Sequence, residues 1–184
     1  LWIAQALDEA DQHKDVRVVI LRGADADFSA GNDMQDFMKF IQTPLAGKAG
    51  DAPPFVVLKS AAKFSHALIA AVRGVAIGIG VTLLLHADLV YSDHTALFQI
   101  PFVSLGLSPE GASSKLLIQQ AGYHKAAELL FTAQKFNSEK ALSAGLVNSI
   151  EDDVYAHAFK QAQTLAALPL ASIKQTKALM KPNL

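Results

Sequence analysis

Cysteine is absent from the 184-residue chain. That excludes disulfides, thiolate metal sites and a cysteine nucleophile, and it is compatible with a reducing compartment. Neither sign of charge dominates: 16 Lys and Arg stand against 17 Asp and Glu, for a net charge of −1, and no basic run occurs. Electrostatics therefore give no reason to expect nucleic acid or a membrane surface as the principal partner. Long apolar runs are also missing, since the longest, Val75 to Leu85, holds eleven residues and falls well short of a membrane span. The opening residues, LWIAQALDEADQHKD, carry acids where a secretory signal needs bases and an apolar stretch. The chain starts without a methionine on an amphipathic segment and stops at MKPNL, so both ends read as cut edges.

Catalytic signatures are scarce as well. The six histidines (His13, His66, His86, His94, His124 and His157) form no H-E-x-x-H pattern and no pair with metal spacing backed by a nearby acid, so no metal site is expected. His86, near a helix end, suits the helix dipole or simple packing. No G-x-S-x-G elbow supports a serine hydrolase. The cluster Asp25, Asp27, Asp33 and Asp36 reads mostly as solvated loop and cap acids.

What is present is apolar and periodic. Hydrophobic residues make up 51% of the chain, enough for a large core, and the length suits one domain spanning 1–184. Trp2, Ile3, Ala6, Leu7 and Ala10 keep helical spacing, which predicts a helix over about 2–13. VRVVILRG (16–23) and ALIAAVRG (67–74) read as buried strands. A helix should follow FSAGND, and TPLAGKAGDAPP (43–54) should be a mobile surface loop. Further helices are expected over 55–64, VTLLLHA, about 112–121, 124–133, 138–143 and 152–168; DLVYSD, ALFQIP and LVNSIE supply strands. Strands alternate with helices, so the class is α/β.

Two glycine turns and one acid carry the candidate chemistry. In GVAIGIGVTLLL a strand passes Gly78 and Gly80 into a helix, whose free N–H groups would favour negative charge. Neither a dinucleotide fingerprint nor a phosphate loop is completed there, and tight strand-to-helix packing is an equal explanation. In FSAGND the small residues Ser29, Ala30 and Gly31 permit close backbone approach, while Asn32 or Asp33 suits a helix cap. In LGLSPEGASSKLL, Glu110 has two readings. Ser108 as N-cap and Pro109 at the first helical position would make Glu110 an ordinary first-turn acid. Alternatively, its apolar neighbours Phe102, Leu105 and Leu107 would raise its pKa and make it a base.

These blocks, with AAVRGVAIGIGVTLLLHADLVYSD, ALFQIPFVSLGLSPEGASSKLL and SEKALSAGLVNSI, resemble the crotonase superfamily from about Leu1 to Met180. The resemblance implies stacked strand–strand–helix turns and binding of acyl-CoA thioesters. It also implies an enolate held by two backbone N–H groups, which fall here on Asn32 and Ile79. Such a donor is worth about 3 to 4 kcal/mol to the transition state. Acyl-CoA contacts are implied at Ser29, Ala30, Gly31, Asn32, Asp33, Gly78 and Phe102. The two acids of enoyl-CoA hydratases would fall on Thr82 and Phe102, neither of which is an acid. SAGND and SPEG are instead most similar to the Δ3,Δ2-enoyl-CoA isomerases, in which Glu110 would be the single proton-shuttling base. The resemblance implies no metal or redox cofactor and a homotrimer or dimer of trimers. It places a bacterial protein in the cytoplasm and a eukaryotic one in peroxisomes or mitochondria. Relative to that family the chain lacks the first strands and the C-terminal helices. Other crotonase chemistry such as hydration, or a non-catalytic acyl-CoA-binding domain, remain as alternatives.

Overall fold

The computed structural model describes residues 2–33 and 52–181. The helix expected after Asp33, and most of the loop at 43–54, lie outside the described residues. Four strands form a parallel sheet in the order β1 (Val18–Arg22), β2 (Ala67–Val72), β4 (Leu89–Ser92), β7 (Ser149–Ile150). A smaller sheet pairs β3 (Val75–Ile77) with β5 (Leu97–Gln99) in parallel, and β5 with β6 (Phe136–Asn137) antiparallel. The chain gives β2 to the large sheet and β3 to the small one, then a helix; β4 and β5 repeat the step. This is the stacked ββα arrangement of an α/β protein.

Strand β2, ALIAAV, is buried along its whole length. A parallel strand covered on both faces needs such an uninterrupted apolar run. Its side chains alternate between faces. Ile69 and Ala71 pack with Tyr91 and with Val154 and Ala158 of α7 (Val154–Ala166). Ala70 and Val72 join the main core with Phe98, Leu84, Leu117 and Leu129. Leu68 meets α1 (Trp2–Gln12) and α2 (Pro53–Lys63) through Leu7, Leu58 and Ala61.

Three expectations need correction. The segment VTLLLHA is not one α-helix: α3 (Ile79–Thr82) gives way to a 3-10 turn, Leu83–His86. Six consecutive buried side chains from Val81 to His86 leave no exposed face on this stretch. The first turn proposed for Glu110 does not exist, because α4 starts only at Ser113 (Ser113–Ala121), after Gly111 and Ala112 at φ +61° and +56°. Two consecutive left-handed residues break a right-handed helix. After α5 (Tyr123–Thr132), α6 (Ser138–Ser143) and α7, the last helix expected from the sequence, a further one, α8 (Leu170–Met180), follows. It buries none of its residues and is tied down by polar contacts instead. Lys177 Nζ donates to Asp88 Oδ2 at 2.6 Å and to the His66 carbonyl at 2.8 Å.

Phe98 of the small sheet packs in the main core with Ala70 and Val72 of the large one; it is fully buried and stacked on Phe136 with centroids 5.5 Å apart. Phe98→Ala should lower unfolding stability by about 3–5 kcal/mol, read from urea denaturation.

Candidate active site

The two glycine turns lie against each other. Ser29 bridges to Ala76 beside β3; its N–H donates to the Val75 carbonyl and its carbonyl accepts from Ile77 N–H, both at 2.9 Å. The FSAGND turn is thereby registered on the strand that leads into the GIG turn. A Cβ on Gly31 would lie 2.9 Å from the Ile77 carbonyl oxygen, and one on Gly80 would lie 2.9 Å from the Ser29 Cβ. Both distances are too short for any side chain. Gly78 is required for a different reason. Open space surrounds its missing Cβ, but its φ of +57° and ψ of −116° are accessible to glycine alone.

Gly78 caps α3. Val81 and Thr82 N–H close back on the Gly78 carbonyl, whereas Ile79 N–H has no partner among the described residues. Such an orphan at a helix start is a donor available to a ligand. Asn32 is half-buried on the adjoining turn, and its N–H likewise has no partner among the described residues. Ala30 and Asp33 are exposed; Ser29 is half-buried, with its hydroxyl 3.2 Å from Gly31 N–H.

Glu110 meets this unit from the other side of the chain. Thr82, fully buried at the end of α3, donates its hydroxyl proton to Glu110 Oε1 at 2.9 Å. The Ile79 carbonyl lies 3.5 Å from the same hydroxyl, too far to compete for its single proton. Burial raises the Glu110 pKa above its usual 4.5, and the Thr82 hydrogen bond partly offsets this by favouring the charged form. Phe102 is half-buried against the main core. Leu105, expected among the apolar neighbours of the acid, is instead exposed, at 47%.

Two contributors were not assigned from sequence. Thr82 was marked only as a position lacking an acid. The buried His86 places Nε2 2.9 Å from the Gly111 carbonyl, rather than serving a helix dipole. Among the described residues, no group of three or more His, Cys, Asp or Glu side chains is arranged to hold a metal ion. A cavity of about 840 Å³ lies elsewhere, between α4, α8 and the start of β4. Its charged wall of Asp88, Lys177 and Lys181 is already internally paired at 2.6 and 3.1 Å, and none of the residues above lines it.

A fold of stacked ββα turns, two apposed glycine turns with unbonded N–H groups and one half-buried carboxylate are the parts of a crotonase-like protein. The match to the enoyl-CoA hydratase/isomerase family model, over residues 3–184, agrees with it, and the chain belongs to that family. It is 33% identical over 177 residues to enoyl-CoA delta isomerase 2 of Rattus norvegicus, covering 92% of this chain and 44% of that protein. A protein called an enoyl-CoA hydratase in Mycobacterium avium is 33% identical over 181 residues, covering 96% of this chain and 68% of that protein. A solved structure from Acinetobacter baumannii carrying the enoyl-CoA hydratase/isomerase name is 72% identical. It superposes with a TM-score of 0.94 over 98% of this chain and 75% of that one. The chain thus has the crotonase fold, and it spans less than half of the rat relative's length.

Gly78→Ala should cost about 1–3 kcal/mol of stability through backbone strain alone. Gly80→Ala should act through packing, forcing the Ser29 turn away. Urea denaturation with a proteolysis assay at the Ser29 turn separates the two effects.

The raised pKa of Glu110 gives a second expectation. A carboxyl whose folded pKa exceeds its unfolded value favours folding below about pH 4.5, and this stabilisation disappears as pH rises through the folded pKa. Glu110→Gln should therefore be at least as stable as the parent near neutral pH, by thermal unfolding. An acid serving a helix dipole would make the same variant less stable.

Proposed function

We propose that the chain isomerises 3-enoyl-CoA to 2-trans-enoyl-CoA, with Glu110 as the only base. The observation that carries this reading is the half-buried carboxylate of Glu110 bonded to the fully buried Thr82. Thr82 and Phe102 stand where the resemblance puts the two hydratase acids, so nothing at those positions can activate a water molecule. The name of the rat relative, a delta isomerase, supports the same reading.

In this reaction the thioester oxygen accepts hydrogen bonds from Asn32 and Ile79 N–H. Ionised Glu110 takes a proton from C2, and the electron pair of that C–H bond delocalises over a dienolate from the oxygen to C4. The same carboxyl returns the proton to C4, leaving the double bond between C2 and C3. One proton leaves and one proton returns, so the electron count is closed without a redox partner. Burial serves the base directly. A carboxylate with a pKa nearer the working pH abstracts a carbon-bound proton more readily than one at its usual value. The Thr82 bond holds one oxygen in place and leaves the other free for the substrate.

Hydration is the second reading, favoured by the identity to the mycobacterial protein called a hydratase. The experiment is turnover of 3-enoyl-CoA and 2-trans-enoyl-CoA by the full-length protein and its Glu110→Gln variant. Isomerisation should fall by roughly 10³–10⁴-fold in the variant, because one group acts in both proton transfers. Acyl-CoA binding by calorimetry should persist. Hydration at a rate comparable with isomerisation in the parent would favour the second reading. Binding without turnover of either substrate would favour a non-catalytic acyl-CoA domain.

Thr82→Val should move the acid limb of the kcat/KM profile to higher pH. Loss of a hydrogen bond to the charged form raises the Glu110 pKa further. An acid limb unchanged within experimental error would separate Thr82 from the base.

A further inference from the structure

The turn that carries Glu110 is held by its carbonyls as well as by its side chain. Ser113 donates to the Glu110 carbonyl twice, from N–H at 2.9 Å and from its hydroxyl at 2.5 Å. The next carbonyl, that of Gly111, faces His86 Nε2 at 2.9 Å. A carbonyl oxygen only accepts, so Nε2 carries the proton and the ring is the Nε2–H tautomer when neutral. Nδ1 is buried and has no hydrogen-bond partner among the described residues. A histidine retained purely for packing could be replaced by an apolar side chain with no loss of a bond at Nδ1. What this ring supplies is one donor, aimed at the peptide that follows Glu110.

That peptide needs an outside restraint. Gly111 and Ala112 are both left-handed, and for alanine the conformation is strained. Strain of this kind persists only where surrounding contacts over-determine it. His86 lies four positions after Thr82 on the Ile79–His86 stretch, which is buried from Gly80 onward. One short rod therefore presents the Ile79 N–H at its start, a hydroxyl to the Glu110 carboxylate in its middle and an imidazole to the following carbonyl at its end.

We infer that His86 is a positioning residue for Glu110: its Nε2–H fixes the Gly111 carbonyl, and so aims the carboxylate relative to the Ile79 N–H. This inference rests on Glu110 being the base. The imidazole touches neither substrate nor reacting atoms. Its effect is confined to the placement of the carboxylate, so kcat should change while acyl-CoA affinity does not. A misplacement of the order of 1 Å in a catalytic group is worth up to roughly 100-fold in rate.

The test compares two neutral amides in the full-length protein. In His86→Gln the amide nitrogen reaches the place of Nε2 and can donate to Gly111; in His86→Asn it reaches only the place of Nδ1. The Gln variant should keep kcat within about threefold of the parent, and the Asn variant should lose roughly 10- to 100-fold, with KM of both within about twofold. In a Glu110→Gln background the Asn substitution should change the residual rate hardly at all, because the group it positions is gone. Equal kcat in the two amide variants overturns the inference, as does an undiminished Asn effect in the Glu110→Gln background. Full activity of Glu110→Gln itself would defeat the base assignment instead, which distinguishes the two failures. Nitrogen chemical shifts of the His86 ring in the parent protein give a check independent of variant folding. Nε2 should be protonated and Nδ1 bare near neutral pH, and a protonated Nδ1 with a bare Nε2 would overturn the bond.

Discussion

The hydrogen bond from Thr82 Oγ1 to Glu110 Oε1, 2.9 Å long, joins parts of the chain 28 residues apart. Other contacts place each side of the site. The Ser29 and Gly78 turns are placed by strand pairing, and the Glu110 turn by its own left-handed residues and by Ser113. At Thr82, and again where His86 meets the Gly111 carbonyl, the glycine-capped helix with its orphan N–H and the turn carrying the carboxylate become parts of one object. Because Thr82 is fully buried, its hydroxyl has little access to water as a substitute for the carboxylate.

Burial and hydrogen bonding act on Glu110 in opposite directions, and burial has the larger effect. An apolar setting alone would protonate the acid too readily to leave a base. Several donors would hold it ionised but make it a weak base. One hydroxyl at 2.9 Å leaves the pKa raised and the orientation defined. A comparable economy governs the glycines. Gly78 is set by backbone conformation and Gly80 by contact with Ser29, so two neighbouring residues of one type answer to separate constraints.

The α/β alternation was legible because ALIAAV, VVILR and the Leu-rich stretch after Gly80 are unbroken apolar runs bounded by Gly or polar residues. Helix α8 was not, since LASIKQTKALM has weak amphipathic order and buries nothing; Lys177 fastens it through contacts distant in sequence. The glycine turns and Glu110 stood out by residue type. Their local geometry did not, because Ala112 is among the strongest helix formers by propensity yet sits at φ +56°. Residue type alone left the two roles of Glu110 open, and only the family resemblance pointed to the base. The delayed start of α4 removes the helix-acid role. Pairing of Thr82 with Glu110 and of His86 with Gly111 is tertiary, and no local spacing encodes it.

The proposed reaction requires a thioester carbonyl between two amides and its C2 beside one carboxylate. A crystal structure of the full-length protein with a saturated, unreactive acyl-CoA shows whether this is so. The thioester oxygen should lie about 2.7–3.1 Å from the N–H nitrogens of both Asn32 and Ile79. The free oxygen of Glu110 should lie within about 3.5 Å of C2. A thioester oxygen turned away from both amides, or a C2 placed against a different acid, would contradict the assignment of Glu110 as the base of this site.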